Sequence, residues 1–255
     1  MKITAQQVMA LRDKTGVSMM AVKKALVEAN GDEDKAIEIL RKRGEAKSAD
    51  KADRQAGEGA IGIKIEGSKG CLAVVRCETD FVARNDDFKA IVQNITDNYF
   101  NKGEGSQEEN EGIVKGAVNT LGENIQLGGH TLIESPIIGG YVHSNGKIAV
   151  LIGLEGGDAE KARDVAMHAA AMNPSVVSPD EITDELVAKE KDIWADQLKN
   201  EGKPENMLEN IMKGKEKKFR EENALISQAF VKDSSMTVGG FLGDAKVVEY
   251  VRMTI

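Results

Sequence analysis

The chain of 255 residues is 41% hydrophobic, 30% charged and only 4% aromatic, with a formal net charge of -8. It is long enough to bury a sizeable core and to form more than one domain, while its acidity disfavours general adhesion to nucleic acid or an anionic membrane. The aromatic residues are too few for an obvious base-stacking platform, and no apolar run approaches the roughly 20 residues of a membrane span. We therefore expect neither a nucleic-acid partner nor a membrane partner.

The two cysteines, Cys71 and Cys77, fall on one expected strand. They would face the same side about 20 Å apart, at roughly 3.3 Å per residue, which is too far for a disulfide. The three histidines are scattered, whereas a zinc site needs more ligands at closer spacing. Residues 1–10 read as a polar helix start and not as a signal or transit peptide. The sequence thus predicts a reduced, cytoplasmic protein without a metal or a cofactor.

Residues 1–44 carry the signals of three short helices. Apolar residues recur at helical spacing in each of them. The expected capping and stop residues are, in chain order, Thr4 with Gln7, Gly16, Ser18, Asn30 with Gly31, Asp32 and Gly44. Residues 45–57 contain no apolar side chain larger than alanine, which predicts a linker that is helical in part. The chain is therefore expected to begin with a small helical bundle of modest core.

Met19 and Met20 open the second of these helices. Adjacent helical positions do not face the same side, so the two side chains cannot both serve one small core. Either one packs inside and the other is incidental, or the pair forms a soft contact for a partner protein. The residues alone leave both interpretations open.

Residues 58–136 predict a first α+β subdomain. Alternating isoleucines and a β-rich apolar run flank a Gly-Ser-Lys-Gly turn, which indicates a hairpin. The pattern G-x-G-x-x-G at residues 57–62 precedes a strand and not a helix, so we reject a dinucleotide site there. After the hairpin, Asn85 is a good N-cap for a helix over residues 86–101. A further helix is expected to end at Gly122.

A short connection at residues 79–82, with the sequence T-D-F-V, joins the hairpin to the next helix. It places a carboxylate, Asp80, and a large aromatic, Phe81, on a loop held at both ends. Such loops carry function more often than the elements they join. Phe81 is either a core aromatic that folds back under the sheet or a projecting wedge for another protein's pocket.

Residues 137–179 and 221–255 repeat the hairpin-plus-helix pattern and predict a second, similar α+β subdomain. Asn145-Gly146 is a type I′ turn signal, and the last strand of the chain is expected to join this sheet. His143 lies beside the turn, where the residues alone favour an ordinary, exposed polar strand residue. His168 lies on an alanine-rich helix face, which favours a packed core histidine.

Residues 180–220 interrupt this subdomain and predict an antiparallel helical hairpin. Asp180 is expected to begin the longest helix, which ends at Asn200; Gly202-Lys203-Pro204 turns the chain, and the return helix ends near Phe219. Its narrow apolar stripe and many charges indicate that the hairpin projects from the body. Projecting hairpins often join subunits, so we expect a homodimer or a two-by-two complex with a partner.

Several short motifs occur together in one order. They are T-D-F-V at residues 79–82, M-H-x-A-A at 167–171 and T-V-G at 237–239, with G-V-S-M-M at 16–20 and K-K-A-L at 23–26 upstream. Each motif is weak alone, but the ordered set is specific, and nearly the whole chain resembles bacterial translation elongation factor Ts.

The resemblance implies an N-terminal bundle of the ubiquitin-associated type, two α+β subdomains and a dimerisation coiled coil at 180–220. It also implies a guanine-nucleotide exchange factor that acts on elongation factor Tu, GDP-bound or nucleotide-free, and performs no covalent chemistry. The partner-binding residues that follow from it are Met19, Met20, Asp80, Phe81, Val82 and His143. Longer members carry a further C-terminal helix that touches the partner; this sequence stops before it, so that contact is not assumed.

In the implied mechanism, Asp80 and Phe81 enter the partner's GTPase domain between two helices and disturb its magnesium and phosphate contacts. Met19 and Met20 hold another part of that domain, and His143 helps the second subdomain grip a different partner domain.

Without the resemblance, the residues indicate an acidic binding protein, since they contain no nucleophile–base motif, metal cluster or phosphate loop. The main alternative is a passive interaction module, in which the N-terminal bundle recognises another protein and the body is a scaffold. A nucleic-acid binder rests only on basic tracts such as residues 41–47 and ranks third.

Overall fold

The computed structural model describes residues 3–15, 19–52, 54–201 and 204–255. Its helices are α1 (Ala5–Thr15), α2 (Met19–Glu28), α3 (Glu33–Ala52), α4 (Asp80–Arg84), α5 (Asp86–Lys102), α6 (Gln107–Leu121), α7 (Ala159–Met172), α8 (Asp184–Asn200), α9 (Glu205–Asn223) and α10 (Val238–Leu242). Its strands are β1 (Glu58–Glu66), β2 (Lys69–Cys77), β3 (Gln126–Glu134), β4 (Ile137–Val142), β5 (Ile148–Glu155), β6 (Ala229–Phe230), β7 (Asp233–Thr237) and β8 (Lys246–Thr254). The mixture of helices and antiparallel sheets confirms the α+β class.

The N-terminal helices α1, α2 and α3 surround a small apolar core of their own. The capping box at the start of α1 is confirmed, because the Thr4 N–H donates to Gln7 Oε1 at 3.0 Å and the Gln7 N–H donates to Thr4 Oγ1 at 3.2 Å. Asn30 and Gly31 follow α2 with positive φ angles of 53° and 86°, as expected of a helix stop. The expected boundaries at Gly16 and Ser18 lie outside the described residues.

The expected helix stop at Gly44 is wrong, since α3 continues through it to Ala52. A glycine inside a helix costs only about 1 kcal/mol relative to alanine. The residues that follow, E-A-K-S-A-D-K-A, include several good helix formers. The first part of the expected linker is therefore helical, and residues 54–57 lead without regular structure into β1.

Strands β1, β2 and β3 form one antiparallel sheet with β2 in the centre. Cys71 and Val75 of β2 pack against α5 and α6, whereas Leu72 and Val74 pack against the second sheet. The alternation follows from strand geometry, in which successive side chains point to opposite faces. The expectation that Cys71 and Cys77 face one side of one strand is confirmed, and both thiols are free.

Strands β4, β5 and β8 form the second antiparallel sheet, so the expected place of the last strand is confirmed. Ala149 and Leu151 of β5 contribute to the layer shared by the two sheets, and Val150 and Ile152 pack against α7. The molecule is thus layered as helix, sheet, sheet and helix. A turn joins β4 and β5 as expected, but the expected type I′ is wrong. That type needs a positive φ at both central residues. Gly146 has a φ of 72°, whereas Asn30 and Asn173 are the only described non-glycine residues with a positive φ.

Helices α8 and α9 form an antiparallel hairpin, in which the Trp194 and Phe219 rings meet edge to face at 5.7 Å. The expected start of the first helix at Asp180 is wrong. Residues 179–181 form a separate 3₁₀ turn, and α8 begins at Asp184 after the Thr183 cap. The expectation that this helix is the longest is also wrong, because α8 has 17 residues and α3 has 20.

The expected turn between α8 and α9 falls partly on residues 202 and 203, which lie outside the described residues. The return helix, α9, extends past the expected end near Phe219 to Asn223. Among the described residues, no helix combines the length and the apolarity needed to cross a membrane.

Candidate functional site

The T-D-F-V connection is a short helix, α4, and the expected loop is wrong. Thr79 caps it, because Thr79 Oγ1 accepts from the Val82 N–H at 3.3 Å. Asn85 then serves both neighbouring helices. Its N–H donates to the Val82 carbonyl at 3.0 Å, and its Oδ1 accepts from the Asp87 N–H at 2.7 Å, which confirms the expected cap of α5. The connection is therefore fixed by capping residues at both ends.

Phe81 lies on the outer face of α4 with 83% of its surface exposed. Val82 and Ala83 pack against the cluster beneath the first sheet, so this short helix turns its smaller apolar residues inward and its aromatic ring outward. Phe88, seven positions later, is fully buried in the same cluster. The interpretation of Phe81 as a core aromatic is wrong. An exposed phenylalanine on a fixed support suits an interface anchor.

A carboxylate from a distant part of the chain supports the start of α4. Glu123, directly after α6, accepts from the Glu78 and Thr79 N–H groups at 3.0 Å each, and from the Thr79 hydroxyl at 2.5 Å. Glu78 in turn accepts from the Asn124 N–H at 2.7 Å. Glu123 could not be recognised from the sequence, because an acidic residue after the helix-ending Gly122 carries no local sign of a contact 44 or 45 positions away.

The two cysteines beside this region are unreactive. Burial raises the pKa of the Cys71 thiol to about 11. Burial, followed by the negative charge of Glu123, raises the pKa of the Cys77 thiol to about 12. Both thiols are therefore protonated at neutral pH, and a thiol is a poor nucleophile and metal ligand in that form.

A cleft of about 700 Å³ separates α4 from the turn between β4 and β5. Asp80 lines one side of it and forms an exposed ion pair with Arg84 at 3.1 Å. Lys147 lines the other side and pairs with Glu58 of β1 at 2.5 Å. The β4–β5 turn is held further by the Ile61 N–H, which donates to the carbonyl of the turn glycine at 3.0 Å. The cleft is thus lined by both charged and apolar residues, and its walls are supported.

His143 begins the turn that forms this second wall. It is partly buried and not exposed as expected, because its ring meets Tyr141 edge to face at 6.3 Å. Its N–H donates to the Ile148 carbonyl at 2.9 Å, and its carbonyl accepts from the Gly146 N–H at 2.8 Å. The structure therefore places Asp80 and the turn that starts at His143 on opposite sides of one cleft.

Met19 and Met20 lie apart from this cleft, on the N-terminal bundle. They are 47% and 68% exposed, so the interpretation that one of them packs inside is wrong. Met20 lines a shallow hollow of about 440 Å³ together with Lys23, Lys24 and Val27. Glu28 completes the lining, which thus combines apolar side chains with charges of both signs. Exposed methionines are adaptable, which suits contact with another protein.

The glycine-rich pattern at residues 57–62 runs into β1, which confirms its rejection as a dinucleotide loop. Within the part of the chain that the structure describes, no group of three or more His, Cys, Asp and Glu residues could hold a metal ion. The assembled features are an exposed aromatic, a supported cleft and a methionine surface, and these are elements of a binding protein.

The chain is similar to members of a known protein family. The family model for elongation factor TS matches residues 78–255. Elongation factor Ts of Deinococcus deserti is 44% identical, and that of Deinococcus radiodurans is 42% identical, each over 98% of this chain and 98% of the relative. Elongation factor Ts of Teredinibacter turnerae is 44% identical over 100% of this chain and 91% of the relative. The chain therefore belongs to the elongation factor Ts family of translation elongation factors.

Proposed function

We propose that the protein is a cytoplasmic guanine-nucleotide exchange factor that promotes release of GDP from elongation factor Tu without covalent chemistry. The observation that carries this proposal is the 83% exposure of Phe81 on a helix capped at both ends. An aromatic ring that is so exposed contributes little to the stability of the free protein. Its contribution comes from a pocket in another molecule.

In the proposed mechanism, Asp80 and Phe81 enter the partner's GTPase domain between two helices, and Val82 anchors them from the core side. The ring displaces a partner helix, and this movement weakens the magnesium and phosphate contacts that hold GDP. Asp80 is free to change partners, because an exposed ion pair such as the one with Arg84 contributes only about 0–1 kcal/mol.

The other contacts hold the partner while the nucleotide leaves. We assign to Met19 and Met20 a second contact on the GTPase domain, and to His143 a contact with a different partner domain. The supporting framework is an N-terminal bundle of the ubiquitin-associated type and two α+β subdomains. The hairpin of α8 and α9 then serves a homodimer or a two-by-two complex.

Exchange of this kind is a linkage effect. If the factor weakens GDP binding, GDP weakens factor binding by the same ratio. The factor therefore binds nucleotide-free elongation factor Tu more tightly than the GDP-bound form.

The decisive experiment measures release of a fluorescent GDP analogue from elongation factor Tu by stopped flow, with and without this protein. We expect release to accelerate with factor concentration and then to saturate. Binding to elongation factor Tu without acceleration would support the passive interaction module instead. The absence of both binding and acceleration would refute the proposed function.

A further inference from the structure

We infer that Glu123 is a positioning residue of the exchange site, whose carboxylate fixes the backbone that presents Asp80 and Phe81 to the partner. The inference rests on the proposed function and assigns a role to a residue outside the T-D-F-V motif. Glu123 does not touch the partner in this view. It acts through Thr79 and α4.

The hydrogen bonds to Glu123 come from the junction between β2 and α4, which is the first support for this role. The β1–β2 register ends at the pair of Glu58 and Cys77, so Glu78 and Thr79 lie beyond the strand pairing and before the first turn of α4. Both of their N–H groups donate to Glu123 Oε2 at 3.0 Å. Backbone donors at such a junction need an acceptor, and the carboxylate supplies it for both.

The second support is the link from Glu123 to the helix cap. The Thr79 hydroxyl donates to Glu123 Oε1 at 2.5 Å and also accepts from the Val82 N–H at 3.3 Å. One hydroxyl therefore connects the carboxylate to the first turn of α4 and fixes the Thr79 rotamer. Hydrogen bonds to an ionised acceptor are stronger than neutral ones.

Hydrogen bonds also run in the opposite direction, from the residues after α6 to Glu78. Together they hold the end of β2 and the residues after α6 in one register. Glu78 Oε1 accepts from the Asn124 N–H at 2.7 Å and lies 3.6 Å from the Arg54 guanidinium. Asn124 also donates through Nδ2 to the Arg54 carbonyl at 2.7 Å. The end of β2, the end of α6 and the entry to β1 thus meet at Glu78 and Glu123.

The consequence for exchange is geometric. Phe81 has no core contact to orient it, so its direction depends on the backbone of α4. Without the Glu123 carboxylate, three donors lose their acceptor at the base of this helix. The aromatic ring would then be misplaced on entering the partner, and errors of about 1 Å in such positions reduce rates by about 100-fold.

The test uses the full chain with Glu123→Ala, Glu123→Gln and Phe81→Ala, and the double variant of Glu123→Ala with Phe81→Ala. The readout is the saturating rate of fluorescent GDP release from elongation factor Tu. We expect Glu123→Ala to lower this rate by about 10- to 100-fold. Glu123→Gln should recover most of it, because the amide oxygen still accepts from the two N–H groups. Glu109→Ala, which removes only a surface pair with Lys102, is the matched control and should leave the rate unchanged.

The double variant separates positioning from general damage. If Glu123 acts through Phe81, Glu123→Ala should change the rate little once the ring is gone. An equal loss with and without the ring would overturn the inference, as would a Glu123→Gln rate as low as that of Glu123→Ala. If Glu123→Ala does not fold, Glu123→Asp, which keeps the charge but shortens the reach, takes its place with the same expectations.

Failure of the proposed function can be distinguished from failure of this inference. If the unmodified protein does not accelerate GDP release, the exchange activity fails, and amide hydrogen exchange judges the positioning alone. The amides of Glu78 and Thr79 should exchange faster in Glu123→Ala than in the unmodified protein, and unchanged protection would overturn the inference.

Discussion

Replacing Phe81 by alanine should separate the stability of the protein from its activity. Phe81 is 83% exposed, so its truncation removes little buried area, and we expect the free energy of unfolding to change by less than about 0.5 kcal/mol. Phe88 is the matched control, since it is fully buried and only seven positions away. Truncating a core phenylalanine costs about 3–5 kcal/mol, so Phe88→Ala should lower the melting temperature strongly.

The effect of Phe81→Ala in the complex follows from burial of the ring. Moving a phenylalanine side chain from water into a pocket contributes about 1.5–3 kcal/mol. At 1.4 kcal/mol per tenfold change, this corresponds to a loss of about 10- to 100-fold in partner engagement. Stimulated GDP release at subsaturating factor concentration should slow by that factor.

Thermal melts of the three proteins come first, followed by stopped-flow release of a fluorescent GDP analogue from elongation factor Tu. A Phe81→Ala melting temperature as low as that of Phe88→Ala would refute the exposed position. An unchanged melting temperature together with the unmodified rate of release would refute the wedge.

Three further predictions concern other parts of the molecule. The double variant Met19→Ala with Met20→Ala should weaken partner binding in calorimetry, because both residues are exposed; lost helicity in circular dichroism would instead make them structural. The free energy of unfolding should fall between pH 7.5 and 5.5 through His168, by at most about 1.4 kcal/mol per pH unit, and a His168→Gln variant with the same slope would contradict this. Leu186 and Ile193 are exposed on one face of α8, so Leu186→Lys with Ile193→Lys should turn the proposed dimer into a monomer in light scattering. An unmodified protein that is already monomeric, alone and in a one-to-one complex, would refute the dimer.

The sign of the pH effect follows from the contacts of His168. Its Nδ1 accepts from the Val231 N–H at 3.1 Å, so the proton is on Nε2, which donates to Gln228 Oε1 at 2.9 Å. Burial lowers the pKa of His168 below its ordinary value. The unfolded chain therefore binds this proton more readily than the folded one, and the stabilisation is complete above the ordinary pKa of about 6.5 and lost as the pH falls below it. The packed core position expected for His168 is confirmed.

Features set by near neighbours in the chain could be predicted from the sequence. The Thr4 and Gln7 capping box and the Asn85 cap each depend on residues within three or four positions, and both are confirmed. The Asn145-Gly146 signal predicted the place of the turn between β4 and β5 but not its type. The prediction of a helix stop at Gly44 is wrong for a related reason. A stop signal only competes with the propensity of the residues around it, and here the flanking helix formers prevail.

Features set by packing could not be predicted in the same way. The sequence excludes a common burial of Met19 and Met20, but only the buried stripe of Val22, Ala25 and Leu26 shows that both lie outside. The sequence also could not decide whether Phe81 points into the core or into solvent, because a single aromatic residue gives no periodicity that would identify the buried face of its helix.

Contacts between segments far apart in the chain were not predicted from the sequence. The bonds from Glu123 span 44 or 45 positions. Strands β6 and β7 were also not expected, because they are short, β7 is exposed along its whole length, and their pattern does not alternate in polarity.

The support of α4 bears directly on how an exchange factor of this design would work. A flexible loop that carried Phe81 would have to be ordered in the complex, at roughly 1–2 kcal/mol for each residue fixed. Thr79, Asn85 and Glu123 order this segment during folding, so in the proposed mechanism the ring would enter the partner without that loss. Factor and GDP weaken each other's binding by one common ratio. The binding free energy that is not consumed in ordering α4 would therefore remain available to displace the nucleotide, and an exposed aromatic on an ordered backbone is the arrangement that makes it largest.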